Sequence, residues 1–281
     1  MRILFLASST LVITAGLANA QALSLSGEAR LGVIGDDAGG AWVWTQDDQL
    51  DLDFTVAIEA DQGLRFGAWT RVEAASGRAG VFSGSHVWAE AGNLRVTFGN
   101  ADGALTHSGY LGGGGVGYEG GILNGDAAGL DAIAQEAVTT GGGAANALRV
   151  DIAVGTAVVS VSHERGAATE IGAQAVYGQV TVAAGYSSAG TGSWALSGQF
   201  DGGDWGVGVL LASVDGSENW VVSGSRTLGK SDLYGYVGEV GSARAYGLGY
   251  SYDLGGAVRL TLGAERVASV AGASLGVAFA F

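Results

Sequence analysis

The chain has 281 residues and a formal net charge of −14; 48% of it is hydrophobic, it holds 52 Gly, and it has neither Pro nor Cys. Acidity argues against nucleic acid as a partner, the lack of Cys removes disulfide frameworks and Cys-based zinc sites, and the apolar content removes a disordered Gly-rich chain. Absence of Pro suits a closed sheet, because Pro cannot donate to a ladder and is confined mainly to free edges.

Residues 1–20 read as a cleaved export signal, with Arg2 in a short basic region, an apolar run from Leu4 to Leu17 and small residues at Ala18-Asn19-Ala20. That run falls short of the roughly 18 to 20 residues of a spanning helix, and no later stretch reaches that length. Removal of the signal leaves 12 basic against 27 acidic residues, a net charge of −15.

From Leu23 onward the apolar residues recur with a period of two. Leu23 to Ile34 sets Leu23, Leu25, Leu31 and Val33 against Ser24, Ser26, Glu28 and Arg30. In Leu50 to Ala60, Leu50, Leu52, Phe54, Val56, Ile58 and Ala60 oppose Asp51, Asp53, Thr55 and Glu59. Three carboxylates in hydrocarbon would cost several kcal/mol, so one face of this strand meets lipid and the other an aqueous lumen. Leu64 to Glu73 follows a tight turn and opposes Leu64, Phe66, Ala68 and Val72 to Arg65, Trp69, Arg71 and Glu73. Val81 to Ala91 and Leu94 to Gly99 form another hairpin, with Arg95 inward.

The alternation stops at Asn100 and resumes at Leu148 to Val154, where Arg149 and Asp151 point inward. Strands then follow at Ala157 to Glu164, Thr169 to Tyr177, Gln179 to Tyr186, Ser193 to Asp201, Trp205 to Ala212, Asn219 to Leu228, Asp232 to Val240, Arg244 to Asp253 and Ala257 to Arg266. The last, Gly272 to Phe281, puts Ala273, Leu275, Val277, Phe279 and Phe281 on one face.

These sixteen segments predict an all-β transmembrane antiparallel barrel, a single domain over 21–281. Every second connection is short, as at Asp61-Gln62-Gly63, Gly92-Asn93 and Gly155-Thr156, which marks the periplasmic turns; Gly35 to Gln49 and Asn100 to Ala147 read as long outer connections. Aromatic residues near strand ends, among them Tyr177, Trp194, Trp205, Trp220 and Tyr246, suit interfacial girdles.

The stretch 100–147 is too long for an ordinary connection and reads as a folded loop with a helix-like island at Ala127 to Val138. It carries Asp102, Glu119, Asp126, Asp131 and Glu136 and no Arg or Lys, while the wall presents Arg30, Arg65, Arg71, Arg95, Arg149 and Arg259. A loop folded into the lumen would set acids against arginines across a constriction.

The run Val87-Trp88-Ala89-Glu90-Ala91-Gly92-Asn93-Leu94-Arg95-Val96-Thr97-Phe98-Gly99-Asn100, the acidic third outer loop and terminal Phe281 resemble those of the general diffusion porins, closest to the alphaproteobacterial Rhodobacter type. The resemblance covers the whole mature chain. It implies a homotrimeric sixteen-stranded barrel in the outer-membrane lipid, with the third loop as an eyelet. It further implies Arg30, Arg65, Arg71 and Arg95 on the constriction wall, and Asp102, Glu119, Asp126, Asp131 and Glu136 on its loop. Phe281 is then similar to the signal read by barrel-insertion machinery, and calcium among loop carboxylates is a further implication, although no EF-hand spacing is present.

The expected function is passive diffusion of ions and small hydrophilic solutes, weakly cation-preferring, with no covalent chemistry and no required cofactor. His86, His107 and His163 lack Ser or Asp partners at a recognisable spacing. A calcium-binding β-solenoid fails because no nonapeptide recurs. The alternative is a plugged or purely structural outer-membrane barrel.

Overall fold

The computed structural model describes residues 11–12, 21–75, 80–112, 116–117, 147–164, 166 and 168–281. Its first strands are β1 (Gln21–Asp36), β2 (Val43–Glu59), β3 (Leu64–Ala75), β4 (Val81–Ala91) and β5 (Leu94–Gly99). Among the described residues between these and β6 (Ala147–Val154) lies one helical turn, α1 (Ala104–Ser108). There follow β7 (Ala157–Glu164), β8 (Thr169–Tyr177), β9 (Val180–Ser187), β10 (Ser193–Asp201) and β11 (Trp205–Val214). The chain ends with β12 (Ser217–Leu228), β13 (Ser231–Val240), β14 (Ala243–Gly255), β15 (Val258–Val267) and β16 (Val270–Ala280).

Each strand pairs antiparallel with its sequence neighbours, and β16 pairs with β1 from Gly272↔Asp36 to Ala280↔Glu28. The sixteen strands therefore close into a barrel. Phe281 completes the seam: its N–H donates to Gly27 O at 3.0 Å and its carbonyl accepts the Gly27 N–H at 2.9 Å. The Phe281 ring lies on Gly27, where an ideal Cβ would come within 2.7 Å of it. Of residues 1–20, only the pair Leu11–Val12 is among the described residues, set against Leu25 and Ser24 of β1; the rest of the expected export signal lies outside them.

The two faces separate as the alternation requires. Along β11, Trp205, Val207, Val209 and Leu211 are exposed on the outer surface while Gly206, Gly208, Leu210 and Ala212 are buried inside. Every backbone donor and acceptor on such a strand is used by its two neighbours, the condition for crossing hydrocarbon without a helix. Among the described residues no helix is long and apolar enough to span a membrane.

Three details depart from expectation. The first outer connection is 37–42 rather than Gly35 to Gln49, because β2 begins at Val43 and stays paired with β1 through Thr45, Gln46, Asp47 and Asp48. Above the hydrocarbon both faces of a hairpin meet water, so the ladder persists where the alternation ends. In β4 the register against β3 slips between Thr70↔Ser85 and Val72↔Phe82, a bulge that breaks the alternation of the upper half of that strand. In the C-terminal half the outer turns are as tight as the inner ones: Asp215-Gly216 and Gly241-Ser242 have positive φ at both positions, the two-residue hairpin geometry.

Candidate functional site

The inward positions of β1 to β3 stack in cross-strand rows. Glu28, Asp51 and Glu73 form one, Ser26, Asp53 and Arg71 the next, and Arg30 stands opposite Gln49. Arg71 grips Asp53 with two parallel bonds, Nε to Oδ1 at 2.8 Å and Nη2 to Oδ2 at 3.0 Å, and its Nη1 lies 3.7 Å from Asp51. Its guanidinium also lies 5.7 Å from the Trp69 ring centroid, and that ring stacks on His86 at 5.1 Å. Arg30 pairs with Asp47 at 3.3 Å. Planar forks suit such bidentate contacts better than lysine would.

A second cluster joins β3, β4 and β5, where Arg65, Glu90 and Arg95 share one row. Arg95 donates to Glu90 Oε2 from Nε at 2.9 Å and from Nη2 at 2.7 Å, and Arg65 reaches Oε1 at 3.2 Å. Both guanidinium groups lie over Trp88, Arg95 at 4.4 Å and Arg65 at 5.8 Å. Arg65 and Arg95 each stand one residue beyond a short turn, and Arg71 is about 20 Å farther along β3 at 3.3 Å per residue. The four wall arginines thus fall into two groups: Arg30 and Arg71 high on the wall, Arg65 and Arg95 close to the turns.

After β5 the chain turns inward. Arg149 Nη1 donates to Asp102 O at 2.6 Å while its Nε bonds Asp151 at 3.0 Å, which fixes the start of the segment to β6. His86 Nδ1 lies 3.2 Å from Asn100 O. The first turn of α1 then meets β7 and β8: Ala104 N–H donates to Ser162 Oγ at 2.8 Å and Leu105 N–H to Glu170 Oε2 at 3.1 Å. Farther on, Leu111 N–H donates to Ser197 Oγ at 2.7 Å and Gln199 Nε2 donates to Gly112 O at 2.6 Å, both on β10. Leu105 and Val116 are fully buried against Ala195, Leu210, Val214, Val221 and Tyr236 of the inner wall. At Gly263 of β15 an ideal Cβ would come within 2.2 Å of Gly117 N, so the described part of the segment reaches that strand as well.

Charge is therefore uneven around the lumen. Arg30, Arg65, Arg71, Arg95 and Arg149 and most of their acidic partners lie on β1 to β6, whereas β9 to β12 present Ala183, Gly185, Ser197, Gly208, Leu210, Ala212 and Val221. His107, in α1, lies 3.7 Å from Asp151 with its side chain 38% exposed toward the lumen; partial desolvation by the surrounding wall, then the Arg149 charge, pushes its pKa below the usual histidine value.

Of the loop acids expected to face the wall, Asp102 is described, and its backbone carbonyl is the group Arg149 holds. Glu119, Asp126, Asp131 and Glu136 and the island at Ala127 to Val138 lie outside the described residues. No group of three or more His, Asp or Glu is placed to hold a metal ion among the described residues, and four of the five loop carboxylates expected to hold calcium lie outside them. Sequence reasoning gave no role to Ser162, Glu170, Ser197 and Gln199. Their signal was present only as polar inward positions on strands otherwise lined by small residues.

The sequence pattern of the Gram-negative porin family matches residues 7–271. No curated protein matches. Among solved structures, a triple mutant of the Rhodopseudomonas blastica porin superposes with a TM-score of 0.78 at 20% identity, covering 92% of this chain and 100% of its own. An alanine-to-lysine mutant of the Rh. blastica porin gives 0.79 at 20% identity with the same coverage, and an alanine-to-tryptophan mutant 0.78 at 21%. At such identity the likeness bears on the fold alone, the closed antiparallel barrel described above.

Proposed function

The chain belongs to the Gram-negative porin family, and from that premise we propose that its water-filled path runs along the charged β1 to β6 wall and prefers cations weakly. As a porin it forms an outer-membrane diffusion channel for ions and small hydrophilic solutes, a channel rather than an enzyme. Support for the cation preference comes from one observation. In the upper wall cluster, among the described residues, Glu28, Asp47, Asp51, Asp53 and Glu73 accompany Arg30 and Arg71, so the acids outnumber the cations where the field acts on a passing ion.

Reversal potential in a KCl gradient across a planar bilayer tests this: the expected sign is that of K⁺ carrying more current, and a Cl⁻-selective sign overturns it. The remaining elements of the proposal are that residues 1–20 are removed on export, that the barrel assembles as a homotrimer, that Arg30 and Arg71 with loop acids line the constriction, and that Phe281 is read by the insertion machinery. A plugged barrel is the second reading, favoured by the burial of Leu105 and Val116 against the apolar inner wall. A silent but fully inserted protein would establish it.

A further inference from the structure

We propose that Glu170 is the positioning residue of the lumenal segment, holding it on the β7 to β10 side so that the charged wall stays open to solutes; this rests on the channel reading above. Glu170 is 1% exposed although it points into a wet barrel. A buried carboxylate is costly unless hydrogen bonds satisfy it. Here Oε2 accepts the Leu105 N–H at 3.1 Å and the Ser162 hydroxyl at 3.2 Å, and that same hydroxyl oxygen accepts the Ala104 N–H. The first two backbone donors of α1, which have no partner within the helix, thus end on one Glu-Ser pair of the wall, and the bond to the carboxylate is charge-assisted.

The wall is shaped for the same contact. At Gly172, the next inward position after Glu170 on β8, an ideal Cβ would lie 2.1 Å from Ala104 O. At Gly185 on β9 it would lie 2.6 Å from Leu105 Cδ1. Side chains are missing where the helical turn rests, and a carboxylate stands at the edge of the depression. Without Glu170 the turn loses its charged anchor ahead of the bonds to Ser197 and Gln199, and the segment leaves its seat toward the β1 to β4 wall.

Single-channel recordings of the refolded barrel test this with E170A, E170Q and E170A combined with L111C and S197C, the native chain being free of cysteine. Loss of a charge-assisted bond shifts a seated-to-unseated equilibrium by about tenfold or more, so E170A should interrupt its open current about tenfold more often than wild type. E170Q should be interrupted less often than E170A, because its amide oxygen still accepts the Leu105 N–H, though without the charge. Oxidising the cysteine pair should silence the interruptions in E170A, and reduction should restore them. A quiet E170A, an E170Q as interrupted as E170A, or interruptions that survive oxidation would each overturn the role. If E170A does not refold, G172A supplies the same reading, since its methyl displaces Ala104. A silent wild type would instead overturn the channel reading.

Discussion

At the scale of single residues, the chemistry of the lumen lies in a few held groups. Arg71 is clamped by Asp53 and close to Asp51, so Arg71→Ala leaves two carboxylates without their cation. One unit charge at lumenal distances in water is worth about a factor of two in ion permeability. The K⁺ over Cl⁻ permeability ratio should therefore rise about twofold in R71A by reversal potential; an unchanged ratio would place Arg71 away from the path. Arg65→Ala, near the turns and sharing Glu90 with Arg95, should move it less. His107 responds to pH. Because its pKa is depressed, the folded chain takes up this proton less readily than the unfolded one, so the stability His107 contributes is full above about pH 6.5 and is lost as pH falls below it. Denaturant midpoints between pH 8 and 5 should fall more steeply in wild type than in H107Q, and parallel curves would remove His107 from the account. Ala268, at φ 55 in the outer turn before β16, is strained where glycine is not. Ala268→Gly should stabilise the barrel by about 1 kcal/mol in urea unfolding, and a loss of stability would contradict this.

At the scale of elements, the strands were legible because each lies between two solvents. Lipid on one side and water on the other impose a period of two that Leu50 to Ile58 or Trp205 to Leu211 display without interruption. Where that contrast ends, the sequence stops speaking: Thr45 to Asp48 remain in a ladder above the hydrocarbon with no alternation to announce it. In β4 the bulge near Ser85 changes parity within one strand, which no fixed period can follow. The seat of the lumenal segment was hidden for another reason. Glu170 and Leu105 are 65 residues apart and Ser162 and Ala104 are 58 apart, and an inward Glu or Ser looks the same in sequence whether it meets water or a helical turn. The wall arginines could be assigned to the inner face from parity alone, but not divided into the Asp53 and Glu90 groups, since that division depends on cross-strand register. Gly172→Ala offers a check on the seat at this scale: it should leave the heat-modifiable barrel intact while altering conductance, because its methyl meets the segment and not the sheet.

At the scale of the whole molecule, closure depends on one seam. Phe281 exchanges two backbone hydrogen bonds with Gly27 and covers it with its ring, so deletion of this residue opens the lower end of the β16–β1 junction. Assembly yield, read as the fraction of heat-modifiable barrel after refolding, should fall in the deletion; full yield would confine Phe281 to a passive place on the surface. Around the closed wall, charge collects on β1 to β6 while Leu105 and Val116 of the described inner segment pack on the apolar side, and the path proposed above runs along the acids and clamped arginines. The most direct test of that arrangement is single-channel conductance of the purified, refolded chain from residue 21 onward in a planar bilayer. Large, stable, weakly cation-selective steps that close in threes are the predicted result. Silence from a barrel shown to be inserted and heat-modifiable would contradict an open path and leave a plugged one.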